Sequence, residues 1–189
     1  MSVEAQSKKK LGYPEYALIP DDGRRHEVID GEHIVNPAPN LDHQRLSRKI
    51  QFQLYAQIEL QGLGEVFDAP CDLQLSQWDI VQPDLVVILK HKQAIITRSR
   101  VRGAPDLVVE IMSPSSEHND RVRKLELYRK SAVPEYWVVD PGQHVIEQYI
   151  LRDDTYDLIG RHADSITLHI LAEVHVNLRE VWQSPPQQQ

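Results

Sequence analysis

The residues whose types and spacing could do chemistry lie in and just after a repeated pentapeptide. Pro-Asp-Leu-Val-Val occupies residues 83–87 and again residues 105–109, and the second copy leads directly into Glu110. In a strand alternate side chains share a face, so Glu110 lies on the same face as Asp106 and Met112. A carboxylate in an apolar strand is costly to bury without a partner or a metal. Two such strands side by side would bring Asp84 and Glu110 together, and paired carboxylates suit Mg²⁺.

A metal site that hydrolyses phosphodiesters also needs a cation near the attacking water or the scissile phosphate. The usual position is two residues beyond the strand acid on the same face, and here that residue is Met112, which cannot fill the role. The next candidate is Lys124, in the helix predicted to follow this strand. Asp120 and Tyr128 lie four residues away on either side of Lys124, on the same helix face.

These candidates, and His43 near the start of a predicted helix, also have structural interpretations. Asp84 follows a proline at the start of a strand, where aspartate commonly ends a turn. Glu110 could form a structural ion pair with an arginine or lysine. Lys124 belongs to a basic run of the kind that usually forms a solvated helix face, and His43 could simply cap the first turn of a helix. Asp106 lies about 13 Å from Glu110 along the strand, too far to share an ion, so a turn role is expected.

The remaining candidates for chemistry are better explained by packing. Tyr136 and Trp137 fall in an apolar strand segment and are expected to pack rather than to stack on bases. Cys71 has no matching Cys/His signature nearby, and we expect it in the core.

The composition favours one globular domain. The 189 residues are 41% hydrophobic and 26% charged, and we predict a single domain at residues 13–183 between flexible segments at residues 1–12 and 184–189. The net charge of −7 argues against strong general binding to nucleic acid. A single cysteine and the lack of a membrane-spanning apolar run indicate a cytoplasmic protein.

Periodicity and turn residues predict the elements that must position the acids. A hairpin at residues 26–35 should turn at Asp30-Gly31, a pair suited to a type I′ turn. A helix with Asp42 as its N-cap should run over residues 41–61, with an apolar stripe of Leu46, Ile50, Leu54 and Ile58. Strands at residues 65–75, 81–89 and 105–112, with a short segment at 94–97, should precede a Ser-capped loop (113–120) and a helix (121–132). A strand at 135–140, a second hairpin and a terminal helix near 177–182 should follow.

These elements predict an α/β fold with a mixed β-sheet core flanked by helices and an N-terminal β-hairpin. The helix between strands 105–112 and 135–140 suits a crossover that joins parallel neighbours. We expect the two acid-bearing strands to be buried and parallel or nearly so.

The ordered set of an acid, a strand acid and a displaced lysine resembles the PD-(D/E)XK nuclease superfamily, with its restriction-endonuclease-like fold. The chain is most similar to the Uma-type family of restriction endonucleases. The likeness covers nearly the whole chain, from HEVIDGEHIVNPAPNLDHQRL through VQPDLVVI and GAPDLVVEIMSPSS to DRVRKLELYRKSAVPEYWVVDP. No single motif is strong, whereas the ordered set is fairly specific.

The resemblance implies a metal-dependent endonuclease that hydrolyses DNA phosphodiester bonds with Mg²⁺ or Mn²⁺. It implies that Asp84 and Glu110 are the metal ligands, that Lys124 is the catalytic lysine moved from strand to helix, and that Glu27, His43 and Gln82 border the site. Cutting a duplex would favour a homodimer. Because Met112 replaces the strand lysine, the alternative is a weak or inactive module that binds nucleic acid or a protein partner. RNA or branched DNA stays open as a substrate.

Overall fold

The computed structural model describes residues 10–113 and 119–183. Residues 1–9 of the predicted flexible segment 1–12, the predicted flexible segment 184–189 and most of the predicted loop at residues 113–120 with its Ser N-cap lie outside the described residues. The predicted domain boundaries stay a prediction.

The chain begins with a short helix and a hairpin: α1 (Tyr13–Tyr16), β1 (Arg25–Ile29) and β2 (Glu32–Asn36). At the hairpin turn Asp30 and Gly31 both have positive φ angles, of 54° and 78°. Such angles at both central residues are typical of the predicted type I′ turn.

The other helices and strands follow in this order: α2 (Leu41–Leu54), β3 (Gly64–Asp68), β4 (Leu73–Gln74), β5 (Ile80–Val81), β6 (Leu85–Leu89), β7 (Val101–Arg102), β8 (Leu107–Ile111), α3 (Leu125–Lys130), β9 (Glu135–Asp140), β10 (Val145–Arg152), β11 (Thr155–His162), β12 (Ser165–Thr167), β13 (His175–Asn177) and α4 (Leu178–Trp182). The described residues also include three short helical segments that are not α-helical. They are a π-helical segment after α2 (Tyr55–Glu59), a 3₁₀ helix after β6 (Lys90–Ile95) and a π-helical segment before α3 (Asn119–Lys124). Within the described ranges, no helix has the length and apolar character that a membrane crossing requires.

The strands form one large sheet and two smaller ones. The large sheet has the order β11-β10-β9-β8-β6-β3, and β8 and β9 are its one parallel pair. A five-stranded sheet has the order β2-β1-β5-β4-β7, and β12 pairs with β13. The predicted mixed α/β fold is therefore confirmed, including the helical crossover between β8 and β9.

Three predicted strand segments differ from the structure. The predicted strand at residues 81–89 is two strands, because β5 belongs to the five-stranded sheet and β6 to the large sheet. Pro83 lies between them and has no N–H to donate to a ladder, so it interrupts the strand. Residues 65–75 likewise divide into β3 and β4, and the segment at 94–97 is largely the end of the 3₁₀ helix Lys90–Ile95.

The predicted orientation of the acid-bearing strands was wrong, since β6 runs antiparallel to β8. Leu85 pairs with Val109, and Val87 with Leu107. One further step in this register places Asp84 opposite Glu110. Because the two pentapeptide copies are antiparallel, Asp84 of the first copy lies opposite Glu110, which follows the second copy.

The large sheet is buried on both faces. One face packs against α2, α4 and the β12–β13 pair, and it contributes alternate residues of β6 and β8, among them Val87 and Val109. The other face packs against α3 and the five-stranded sheet. It carries Val86, Val108 and Met112, and Glu110 contacts Tyr128 there, so the predicted shared face of Glu110 and Met112 is confirmed. Burial of both faces explains the unbroken apolar runs in these strands.

The first turn of helix α2 contacts the C-terminal end of β8. Its N-cap is Asn40, whose side chain accepts a hydrogen bond from the His43 N–H. The predicted cap, Asp42, was wrong; it lies inside the first turn and pairs with Arg45 at 2.6 Å. The predicted apolar stripe is confirmed, since Ile50, Leu54 and Ile58 are fully buried.

Asp106 should be a structural residue. Its buried carboxylate accepts a hydrogen bond from the Leu89 N–H at 2.7 Å and pairs with Lys92 at 3.1 Å. We predict that Asp106→Ala lowers the free energy of unfolding by about 2–4 kcal/mol, because it leaves a buried N–H without an acceptor. Urea denaturation would measure this. Asp157→Ala, which alters a half-exposed acid on β11, should stay within about 0.5 kcal/mol of wild type. Equal stability of both variants would contradict the prediction.

Candidate active site at the junction of two sheets

The site lies where the chain leaves the five-stranded sheet and enters the large one. Residues 82–84 form this junction, and two side chains of β1 hold it. The Gln82 N–H donates to Glu27 Oε1 at 2.9 Å, and the Gln82 carbonyl accepts from Arg25 at 3.0 Å. Arg25 and Glu27 are two residues apart in β1, so both side chains point to the same face.

Asp84 is buried directly before β6, and its side chain has three partners among the described residues. Oδ1 pairs with Arg25 at 2.6 Å, and Oδ2 lies 3.1 Å from His43 Nε2. Oδ2 also accepts a hydrogen bond from the Ile111 N–H at 2.7 Å. The carboxylate therefore joins β1, α2 and the end of β8.

The pKa of Asp84 is lowered from its ordinary value. Burial acts to raise it, but the His43 hydrogen bond, the Arg25 charge and the Ile111 N–H together outweigh burial. Because the pKa in the folded protein lies below that in the unfolded chain, Asp84 stabilises the fold at neutral pH. This contribution is lost as the pH falls through the lowered pKa.

Glu110 and Glu27 share one buried cation. The Lys124 ammonium lies 2.9 Å from Glu110 Oε1 and 3.0 Å from Glu27 Oε1. Glu110 Oε1 also accepts a hydrogen bond from the Tyr128 hydroxyl at 2.7 Å, and Glu27 Oε2 accepts one from the Asn36 amide. Burial and the neighbouring Glu110 charge raise the Tyr128 pKa well above its ordinary value, so this hydroxyl keeps its proton and donates.

A cavity of about 640 Å³ opens over these groups. Asp84, Glu110 and Lys124 line it together with His43 and Arg25. Residues 36–40, 42, 111–113 and 140–142 also line it. The candidate acids and the candidate lysine therefore line the same cavity.

The oxygen donors at this cavity suit a hard divalent cation. Two carboxylates, Asp84 and Glu110, lie beside the main chain of Ile111, whose carbonyl is 3.1 Å from His43 Nε2. Carboxylate and carbonyl oxygens are the ligands that Mg²⁺ prefers. In the described ranges, no three His, Cys, Asp or Glu side chains are already arranged around a common metal position. The carboxylates instead contact the protein's own cations, so binding a metal would require some of these contacts to open.

The predicted site residues are placed as follows. The structure brings together Asp84, Glu110, Lys124 and His43 at the cavity. Glu27 lies behind Lys124 and does not line the cavity. The Gln82 amide points elsewhere, toward Asp72 at 2.9 Å and the Tyr16 hydroxyl at 3.1 Å, so only its main chain contributes to the site.

Sequence reasoning missed three contributors. Arg25 holds Asp84, Tyr128 holds Glu110, and the Ile111 main chain contacts both Asp84 and His43. Arg25 lies one residue before the predicted hairpin at 26–35, and no local signal links it to Asp84, 59 positions away. The position of Tyr128, one helical turn beyond Lys124, is the signal that could have linked it to Glu110.

Comparison with known proteins identifies the family and the fold of the chain. The sequence model of the Uma2 family, described as "putative restriction endonuclease", matches residues 13–179. A crystal structure described as a putative nuclease of the DUF820 family, from Anabaena variabilis, is similar with a TM-score of 0.75 at 17% identity. That match covers 91% of this chain and 97% of the other, so the two share a fold. The type IIG restriction endonuclease BpuSI matches with a TM-score of 0.39 at 15% identity, over 63% of this chain and 12% of its own. No curated protein matches the sequence.

Lys124 should be essential to folding stability as well as to the site. We predict that Lys124→Met lowers the free energy of unfolding at pH 7 by about 3–5 kcal/mol, because two buried glutamates lose their shared counter-charge. Chemical denaturation would measure this. The Glu27→Gln, Lys124→Met double variant should be less destabilised than the sum of the single variants. Strict additivity would show that the ammonium and Glu27 do not interact.

Cys71 should be a poor nucleophile. Burial, followed by the nearby charges of Asp72 and Asp68, raises the pKa of its thiol to about 11. We predict that the folded protein reacts with a disulfide reagent at pH 8 roughly tenfold more slowly than the urea-unfolded chain, because little thiolate is present. A colorimetric thiol assay would measure both rates. Equal rates would contradict the burial of Cys71.

Proposed function

Because this chain belongs to the Uma2 family of restriction endonucleases, we propose that it is a metal-dependent endodeoxyribonuclease. Its reaction is hydrolysis of DNA phosphodiester bonds, with Mg²⁺ or Mn²⁺ as the cofactor. The observation that carries this proposal is the convergence of Asp84, Glu110 and Lys124 on one cavity.

In this proposal Asp84 and Glu110 hold the ion, and Lys124 supplies positive charge near the substrate. Asp84 and Glu110, with the Ile111 carbonyl beside them, supply the oxygens that hold the ion. When bound, the ion polarises a phosphoryl oxygen and makes a bound water more acidic. Lys124 places a positive charge at the cavity wall, where it can orient the attacking water or stabilise the negative charge that develops on the phosphate.

The surrounding contacts support these roles by fixing the acids. Arg25 and His43 hold Asp84 from opposite sides, and its lowered pKa keeps it ionised. Tyr128 and Lys124 both contact the same oxygen of Glu110, which limits how that carboxylate can rotate. Such outer contacts orient ligands and tune their basicity.

One observation favours a second candidate function, a nuclease-fold module that binds nucleic acid or a protein partner without turnover. The carboxylates are already paired with Lys124 and Arg25, and the buried Met112 stands where most related nucleases have a strand lysine. This candidate predicts binding that survives Asp84→Ala and needs no divalent metal.

The assembly and location belong to the same proposal. Cleavage of both strands of a duplex needs two sites, and a two-fold homodimer is the simplest way to provide them. Light scattering of the pure protein, with and without DNA, would measure the assembly. A cytoplasmic location would keep the single thiol reduced.

A plasmid-nicking assay with Mg²⁺ and with Mn²⁺ tests the proposed activity. We expect wild type to nick supercoiled plasmid, and Asp84→Asn and Glu110→Gln to reduce the rate about a hundredfold or more, because each removes a charge that holds the ion. Asp157→Asn, on the surface of β11, serves as the matched control and should nick at the wild-type rate.

The outcomes of this assay separate the two candidates. Equal nicking by wild type and both site variants would overturn the catalytic proposal. DNA binding by wild type without nicking in either metal, retained in Asp84→Ala, would favour the binding module.

A further inference from the structure

A second cavity adjoins the candidate active site. It has a volume of about 860 Å³ and shares Arg25, His43 and Asp84 with the first cavity. The two spaces therefore meet at the carboxylate that we propose as a metal ligand. Any chain-like substrate whose reacting group lies in the first cavity could continue into the second.

One wall of the second cavity is a polar face of α2. Gln44, Ser47, Arg48 and Gln51 line it. Their spacing of three, one and three residues places them on the same side of the helix. In the described part of the chain, these four side chains make no hydrogen bond or ion pair. A row of polar groups that the protein itself does not use is available to a ligand.

Arg48 differs from the other cations of α2. Arg45 pairs with Asp42 at 2.6 Å, and the Lys49 ammonium donates to main-chain carbonyls at the end of α4, including Glu180 O at 3.0 Å. Arg48 is exposed and faces the cavity. Within the described residues, its guanidinium is the α2 cation left for an external anion.

Another part of the cavity lining is acidic. Asp72 accepts hydrogen bonds from the Tyr16 hydroxyl at 2.7 Å and from the Gln82 amide at 2.9 Å, and Asp68 also lines the cavity. The cation Arg24 lines it as well and lies 3.8 Å from Asp22. An anion would be repelled by Asp68 and Asp72 and attracted to Arg48 on α2, which suits a ligand whose phosphates contact that helix.

We propose that the second cavity binds the sugar–phosphate backbone of a single DNA strand that continues from the candidate active site. Arg48 contacts a phosphate, and Ser47 and Gln51 donate hydrogen bonds to phosphate or sugar oxygens. Arginine, serine and glutamine commonly make such contacts, which carry no base specificity. This inference rests on the proposed nuclease function and adds a strand-binding subsite to it.

A single strand fits the cavity better than a duplex. The polar wall is one helix face wide, and the chain as a whole carries a net charge of −7. A duplex lying across the surface would rely on many phosphate contacts from a broad basic area. A single strand needs only a narrow groove with donors along one side.

Binding of a fluorescent single-stranded oligothymidylate to the full chain, measured by anisotropy in EDTA, tests this subsite. Arg48→Ala should weaken binding about tenfold, since a charge-assisted hydrogen bond is lost. It should also reduce the slope of log K against log salt by about 0.7 for one lost phosphate contact. Arg45→Ala removes the same charge from the same helix outside the cavity, and its affinity should stay within about twofold of wild type. Gln51→Ala should weaken binding without changing the salt slope.

Three outcomes would overturn the inference. One is equal loss of affinity in Arg48→Ala and Arg45→Ala, which would indicate general electrostatic attraction. Another is unchanged affinity in Arg48→Ala, with thermal melting confirming that the variant is folded. The third is equal competition by a duplex of matched length.

The assay also separates this inference from the proposed function. Loss of nicking in Asp84→Asn with unchanged binding in Arg48→Ala would overturn the subsite and leave the nuclease. Weakened binding in Arg48→Ala with no metal-dependent nicking in wild type would support the subsite and overturn the nuclease.

Discussion

The buried ammonium group of Lys124 contacts both of the sheets that form the candidate site. Lys124 contacts Glu27 on β1, which belongs to the five-stranded sheet, and Glu110 on β8, which belongs to the large sheet. Burying these charges is costly, and the cost is offset only while all three remain paired. The hairpin, the central strand and the crossover helix therefore depend on one another at this point. Tyr128, one turn further along the helix, adds a neutral donor that keeps Glu110 in place.

The position of Asp84 follows from a different constraint, the break between the two sheets. Pro83 cannot donate to a ladder, so the chain changes sheets there and β6 starts directly afterwards. The antiparallel register of β6 and β8 then sets Asp84 against Glu110. Arg25 reaches both the junction carbonyl of Gln82 and the Asp84 carboxylate. Backbone pairing thus determines which acids meet, and ionic contacts determine how they are held.

Local pattern was enough to predict the order of most elements, although Pro83 divides one predicted strand and Asn40 rather than Asp42 caps α2. It also placed Asp84 and Glu110 side by side, because a carboxylate in a buried strand needs a partner. The meeting of Asp84, Glu110 and Lys124 follows from that need, and the type I′ turn follows from Asp30-Gly31. The antiparallel orientation of β6 and β8 could not be predicted, because two-sided burial produces apolar runs in strands of either direction. The role of Arg25 was equally hidden, since it depends on contact with a residue 59 positions away. Features that depend on local pattern could be predicted from the sequence, whereas those that depend on long-range strand register could not.

The distribution of charge explains why a site whose acids are already paired still suits a cation. Among the described residues, the buried carboxylates of Glu27, Asp84 and Glu110 contact Arg25 and Lys124. The raised pKa of Tyr128 keeps its hydroxyl from adding a further negative charge. Asp84 and Glu110 line the first cavity, whereas the guanidinium of Arg48 on α2 lies on the wall of the second. The two connected spaces therefore attract opposite charges at neighbouring points. A phosphodiester substrate and its divalent ion require that combination, because the ion must sit next to a phosphate whose neighbours along the strand also need positive partners.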